Sequence, residues 1–298
     1  MKRFLLLMTG FCMVALAACA PNASTPSPAP RGGLEKIQKT GILRVGYFPF
    51  EPAAILDPGA QKPRGFFVDL VEDIAREMRW KVEYVQVDLK NFAAGLASGD
   101  FDLSIGATFS SPSRAGGVLF SRPLFYLGYT GVSTAANATR FKTWADVDQK
   151  GVRVAVKQGS AIADYARVHF KNATIVSLEA PNLNAPLAAV PGQADIGLMN
   201  QVTVFTYLRD NKDKTSPTAG ATRIVEVLSD QPKEFTGICW AVRPDDIRFL
   251  EFINSSIKHE IDTGRYDEYI APYDIPNLYR ERETYSFKTK SFSGQISR

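Results

Sequence analysis

Residues 42–78 change their hydrophobic period in mid-course, and that change limits the folds open to the chain. Ile42-Leu-Arg-Val-Gly46 is a short apolar strand that stops at glycine. Downstream, Gly65-Phe-Phe-Val-Asp-Leu-Val-Glu-Asp-Ile-Ala-Arg-Glu-Met78 sets Leu70, Ile74 and Met78 four apart, on one helical face. Asp69 is expected to open that helix as its N-cap, with Glu72 three residues on as in a capping box. Residues 81–87 alternate like a strand, Phe92 and Leu96 mark a short helix, and residues 101–105 read as a strand again. Strands alternating with helices imply a parallel sheet.

The second half repeats the scheme. Residues 151–156 form a strand, and Gly159-Ser160 opens a helix through Phe170. Further strands are expected at 175–178, 195–199, 223–228 and 237–242. Pro244-Asp-Asp then starts a helix with Leu250, Ile253, Ile257 and Ile261 on its buried side, closing near Gly264. The aromatic run that follows suggests a last helix packed on the body. Of the 298 residues, removing an 18-residue leader leaves 280, which is long for one hydrophobic core and comfortable for two lobes.

That leader is residues 1–18. Lys2 and Arg3 form a positive start, and Phe4 to Ala18 is an apolar run of fifteen. A membrane span needs about 20 residues, so the run reads as a signal-peptide core. It ends in Leu16-Ala17-Ala18-Cys19, which resembles the bacterial lipobox, in which the cysteine is lipidated and becomes the first residue. Ordinary secretory cleavage beside Ala18 is the alternative. The segment after Cys19, up to residue 33, is rich in proline, serine, alanine and glycine and reads as a flexible tether. The last residues lack apolar periodicity and read as a loose tail.

Charge argues against one class of partner. Without Lys2 and Arg3, the 35 basic residues become 33 against 31 acidic ones, and no basic stripe with interleaved aromatics points to nucleic acid. Of three cysteines, Cys12 lies in the leader and Cys19 at the lipobox, so Cys239 has no intrachain partner. It sits in Ile238-Cys-Trp-Ala-Val242 and reads as a buried, inert thiol. His169 and His259 are far apart in sequence and outside any ligand-spaced motif, so neither a metal nor another cofactor is expected.

The stretch Gly106-Ala-Thr-Phe-Ser-Ser-Pro-Ser-Arg114 stands out chemically, because an apolar strand runs into small and hydroxyl residues and then one arginine. A strand end offering amides and hydroxyls, with Thr108 and Ser111 among them, beside a guanidinium is a good receptor for a carboxylate.

Taken in order, "LRVG", "GFFVDLVEDIA", "LASGDFD", "SSPSRAGGVLFSRP", "VRVAVKQGS", "GQADIGLMN" and "IKHEIDTGRYDEYI" resemble the family 3 extracellular solute-binding proteins. The resemblance covers roughly residues 36–275. It implies an α/β, two-lobed periplasmic-binding-protein fold of type II, its ligand cleft lying between lobes joined by two crossover strands. Lobe 1 would be residues 34–128 plus 234–298, and lobe 2 residues 129–233. In such proteins the arginine twelve residues after the "GxxD" aspartate grips the ligand carboxylate; here Asp102 and Arg114 have that spacing. Gly159 and Ser160 match the turn whose amides meet the anion from the other lobe, aided by the positive helix end. Tyr47 or Phe48 would lie over the ligand, with Phe50 in the core.

Three positions depart from the family's pattern. Where the family places an aspartate for the ligand α-ammonium, five residues after Asp195, this chain has Asn200. Phe109 replaces a usual serine or threonine, and Leu89 aligns with a stacking aromatic, a role Phe92 could take instead. Asparagine keeps an acceptor but loses the charge. The expected ligand therefore carries a carboxylate but not necessarily an α-ammonium, unless Asp195 or another acid supplies the charge.

The implied function is that of a monomeric lipoprotein receptor outside a bacterial membrane, passing a small carboxylate to an ABC permease with its ATPase. A cyclohexadienyl-dehydratase-like enzyme on the same scaffold is an alternative, although no acid–base or metal signature accompanies it. A ligand-sensing module without transport is another, and no signalling segment is expected after residue 275.

Overall fold

The computed structural model describes residues 33–180, 183–273 and 275. The expected signal peptide, Cys19, the tether up to residue 32 and the tail from residue 276 lie outside the described residues. Among the described residues no helix is long and apolar enough to cross a membrane.

Among the described residues ten strands form one sheet. In chain order they are β1 (Ile42–Tyr47), β2 (Lys81–Gln86), β3 (Leu103–Phe109), β4 (Leu119–Phe120), β5 (Phe125–Thr134), β6 (Arg153–Lys157), β7 (Thr174–Leu178), β8 (Ile196–Asn200), β9 (Ile224–Val227) and β10 (Lys233–Val242). Their spatial order is β2-β1-β3-β10-β5-β8-β6-β7, with β4 on β10 and β9 on β5. β1 pairs in parallel with β2 and β3, and β6 pairs in parallel with β7 and β8. Each end of the sheet is thus a parallel block, the arrangement that crossover helices produce.

The two long strands join these blocks. β10 pairs antiparallel with β3 through Ile238–Val242, and with β5 through its first residues. β5 in turn pairs antiparallel with β8 from Tyr129 onward. Each strand leaves one block and enters the other. Their mutual ladder is irregular between Lys233 and Thr236, where Glu234 takes a left-handed φ of 48°. A β-bulge at such a crossing bends and twists the strand.

The helices cover the sheet faces as the period predicts. Helix Ile247–Asp262 turns Ile253 and Ile257 fully inward, and Arg265–Ile270 packs after it. One expectation changes: the helix assigned to start at Asp69 runs Phe66–Glu77, with Gly65 as its N-cap. Gly65 has φ 129°, and a Cβ there would lie 2.5 Å from the Ala53 carbonyl oxygen, so the chain can turn only at glycine. Burial of the Phe66–Phe67 edge-to-face pair in the first turn outweighs the polar cap that Asp69 would offer. Phe67 continues that core edge-on to Trp240, 5.6 Å between centroids. Cys239 is buried and unbridged, and burial pushes its thiol pKa up to about 12, as expected of an inert cysteine.

Candidate functional site

β3 extends four residues past its expected end. Thr108 and Phe109 are registered with Cys239 and Ile238 of β10, and the Ser110 amide donates to the Gly237 carbonyl at 3.3 Å. The amides of this stretch are therefore tied into the sheet rather than left free. Thr108 is fully buried and donates to the Gly106 carbonyl, while Ser111 is half-buried, its hydroxyl 3.1 Å from that of Ser113. Neither lines the cavity around Arg114, which departs from the sequence expectation. The competing strand β10, distant in sequence, is what claims Thr108.

Beyond Ser111 a single turn, Pro112–Ala115, carries Arg114 back toward the sheet. Its Nη1 donates to the Phe109 carbonyl at 3.1 Å and its Nη2 to the Gly159 carbonyl at 2.7 Å. The second bond crosses from the β1–β3 block to the turn after β6. Burial pulls the guanidinium's pKa down, with Tyr129 and Asp164 acting weakly in the other direction. Arginine stays protonated regardless. Among the described residues it forms no ion pair, for Asp164 is engaged by Arg167 at 2.8 Å. A desolvated cation held only by carbonyl oxygens is an unusual arrangement, because buried charges are ordinarily paired.

Around Arg114 lies a cavity of about 20 Å³, room for roughly one water by that measure. From the first block come Phe48, Leu89 and Phe109; from the second side come Ser160, Ala161, Leu183, Met199 and Asn200, with Tyr129 of β5 between them. Phe109 stacks on Tyr129 with centroids 4.6 Å apart, closing one wall. The Tyr129 hydroxyl is held protonated chiefly by burial, against the pull of Arg114 and the Ile162 amide. Phe48 reaches its place because residue 106 is glycine: a Cβ there would sit 2.0 Å from the Phe48 ring.

Two helix N-termini meet the same space. Ser160 caps helix Ala161–His169, its hydroxyl accepting from the Ala163 amide at 3.2 Å and donating to the Lys157 carbonyl at 2.6 Å. Asn200 caps helix Gln201–Asp210, with Oδ1 accepting from the Thr203 amide at 3.0 Å and Nδ2 donating to Thr203 Oγ1 at 2.9 Å. Both caps line the cavity, so two positive helix ends and one guanidinium converge on it. No Asp or Glu is among its lining residues.

Six residues picked out from sequence are thus brought together: Phe48, Leu89, Phe109, Arg114, Ser160 and Asn200. Gly159 enters through its carbonyl rather than its amide. Tyr47 is turned away into an edge-on contact with Tyr84, and Phe92 belongs to a separate core cluster with Leu96 and Phe101. Asp195 is excluded as a charge donor to the cavity. It stands at the opposite end of β8 from Asn200, where it ion-pairs with Arg153 at 3.1 Å and accepts from the Arg153 amide at 2.8 Å. Tyr129, Ala161, Leu183 and Met199 went unnoticed in the sequence. Tyr129 had a signal, since it alternates with Leu127 and Phe125 on one face of β5.

His259, which sequence spacing left without ligand partners, comes close to Glu77 and Glu260, their donor atoms lying within 4.8 Å of one another. Arg265 already ion-pairs with both carboxylates at 3.0 Å.

Comparison with known proteins matches the same architecture. The cyclohexadienyl dehydratase of Pseudomonas aeruginosa is 28% identical over 192 residues, 63% of this chain and 70% of that one. A probable histidine-binding protein of Campylobacter jejuni is 25% identical over 277 residues, spanning 92% of this chain and all of its own length. Among solved structures, an ancestral amino acid-binding protein described as a precursor of cyclohexadienyl dehydratase superposes with a TM-score of 0.69 at 26% identity, covering 80% of this chain and 98% of that one. The sheet order, the two connecting strands and the cavity between the blocks are those of the type II periplasmic binding fold. The profile of the bacterial extracellular solute-binding proteins, family 3, matches residues 43–274, and the chain belongs to that family.

Proposed function

We propose that this protein is the extracytoplasmic receptor of an ABC importer and that its ligand is a small carboxylate lacking a free α-ammonium group. The observation that carries the ligand class is Arg114, a desolvated guanidinium in the cavity wall with carbonyl oxygens and, among the described residues, no acid for partners. A carboxylate supplies the missing counter-charge through two parallel bonds. It would take the place of the Gly159 carbonyl, and the first-turn amides behind Ser160 would meet it from the other side. The cavity holds roughly one water, so the blocks must part before a ligand of several heavy atoms enters. Ligand then favours reclosure because both sides hold it.

An α-ammonium has no acid to meet at Asn200, and leaving it desolvated without a counter-charge costs several kcal/mol. Keto acids, hydroxy acids and N-modified amino acids fit better. In this reading lobe 1 is residues 34–128 and 234–298, lobe 2 is residues 129–233, and Cys19 is lipidated. The tether holds a monomer near its permease and ATPase.

A thermal-shift screen pairing each common amino acid with its keto, hydroxy and deaminated counterparts tests the reading. A ligand at a hundred times its Kd adds about 2.7 kcal/mol, which at roughly 2–4 °C per kcal/mol gives a plain shift. Preferential stabilisation by free amino acids would refute the ammonium-free class. The relationship to a dehydratase keeps a second reading in view. Elimination of water needs a general acid at the site, and the cavity wall carries no carboxylic acid. Turnover of prephenate or arogenate would decide for the enzyme.

A further inference from the structure

The last residue of β6 is a lysine with little contact with water. Lys157 is 9% exposed, and among the described residues its Nζ forms no hydrogen bond or ion pair. Lysine is rarely so buried without a partner. It ends a parallel strand on the side of the sheet where ligands of open α/β folds bind. There it lines a cavity of about 240 Å³, with Gln158 and Glu179 on its own side and Asp88, Leu89 and Lys90 facing it. Leu89 belongs to this wall and to that of the Arg114 cavity.

The two cavities are divided by a thin seam. Gly159, at φ 76°, lies so close to Lys90 that a Cβ added to it would be 3.2 Å from the Lys90 Cβ. The Gly159 carbonyl is the one that Arg114 holds. Lys157 therefore stands two residues along the chain from the Arg114 contact, at most roughly 7 Å of backbone. Of the four charged residues in the larger wall, Asp88, Lys90 and Glu179 are exposed, and Lys90 pairs with Glu179. Lys157 is the one whose side chain is mostly buried.

We propose that Lys157 receives a second carboxylate, so that the ligand is a short dicarboxylate spanning Arg114 and Lys157. This rests on Arg114 being the anchor of the first carboxylate. Leu89, where the family stacks an aromatic, leaves an aliphatic wall for the carbon chain between the two charges. Burial holds the Lys157 pKa below its ordinary value, with Asp88 and Glu179 opposing; an entering carboxylate favours the charged form.

Calorimetric titration of succinate, glutarate and adipate against butyrate, pentanoate and hexanoate tests the assignment on the soluble protein. The expected result is at least one dicarboxylate binding tenfold or more tightly than the monocarboxylate of equal length. That ratio should collapse toward one in Lys157→Met and return in Lys157→Arg. Equal binding of both series by the wild type overturns the role of Lys157 and leaves Arg114 as anchor. So does a dicarboxylate preference that survives in Lys157→Met. If no carboxylate of either series binds, the anchor itself is wrong. The wild-type ratio decides even if the methionine variant fails to fold.

Discussion

The two parallel blocks are built alike at one end of their strands and differently at the other. In the first, the Asp102 carboxylate precedes β3 and accepts from the Arg44 amide of β1 at 3.0 Å, while the Arg44 side chain donates to the Gly99 carbonyl at 2.7 Å. In the second, Asp195 precedes β8 and accepts from the Arg153 amide of β6 at 2.8 Å, while Arg153 donates to the Gly192 carbonyl at 2.7 Å. The same Gly-x-x-Asp turn thus ties the same strand pair twice. At the carboxyl ends the likeness stops. β3 leads to Arg114, whereas β8 leads to Asn200 capping a helix. Repetition marks the scaffold, and divergence marks the site. One block brings a side-chain charge, and the other brings helix ends and amides.

The sharpest way to break that division is to remove the charge. Arg114→Met should weaken carboxylate binding by about thirtyfold to a few thousandfold, since loss of one partner of a buried charged pair costs about 2–5 kcal/mol. The ligand-free melting temperature should move little, because the guanidinium has no acidic partner to lose. Calorimetry and a melting curve on the same variant check both halves. A large loss of stability with unchanged affinity would make Arg114 a bridge between blocks and nothing more.

The scaffold half of the comparison calls for a matched pair of variants. Asp102 is the more buried of the two acids and also pairs with Lys36 at 3.0 Å. Asp102→Ala should cost about 3 kcal/mol of stability, and Asp195→Ala about 1.5 kcal/mol. Chemical denaturation measures each. Acid separates them further from other mutations. Burial raises the Asp195 pKa, but its bonds to Arg153 outweigh that and hold it below the usual carboxylate value. A folded pKa below the unfolded one means that stabilisation is complete above pH about 4 and fades as pH falls through the folded value. The gap between wild type and Asp195→Ala should therefore narrow in acid, and a constant gap would count against the ion pair.

The contact between blocks can be tested at Gly159. Alanine there must adopt φ 76° and approach Lys90, so closure should become harder by about 2 kcal/mol, roughly thirtyfold in affinity. Small-angle scattering of the ligand-free variant should report a larger radius than wild type. An unchanged radius would mean that the blocks close without the Gly159–Lys90 contact.

How much of this was legible in the sequence follows from the same division. Local period located most of the strands and the main helices but not β4, β5 or the helix Gln201–Asp210, and order of motifs brought Arg114, Ser160 and Asn200 to one cavity. What local pattern could not reveal was pairing across long separations. Thr108 and Ser111 read as open hydroxyls because nothing near them announces that β10, over a hundred residues later, registers with Thr108. Tyr129 drew no expectation from the sequence, although the crossing of β5 makes it the wall between blocks. The start at Phe66 was lost because burial of an aromatic pair overrode the stronger polar cap signal at Asp69.

Asn200 offers the finest test of the comparison. Aspartate at this position keeps the N-cap bond to the Thr203 amide, since aspartate and asparagine cap equally well. Stability should hardly change. The cavity, however, would gain its first acid, and the second block would then carry a charge of its own. An α-ammonium would find a partner while a keto acid would meet repulsion, so the ratio of amino-acid to keto-acid affinity should rise about tenfold, or 1.4 kcal/mol. Paired titrations of wild type and Asn200→Asp give that ratio directly. If it does not move, the side chain at 200 serves the helix alone, and selectivity lies with the residues that face it across the cavity.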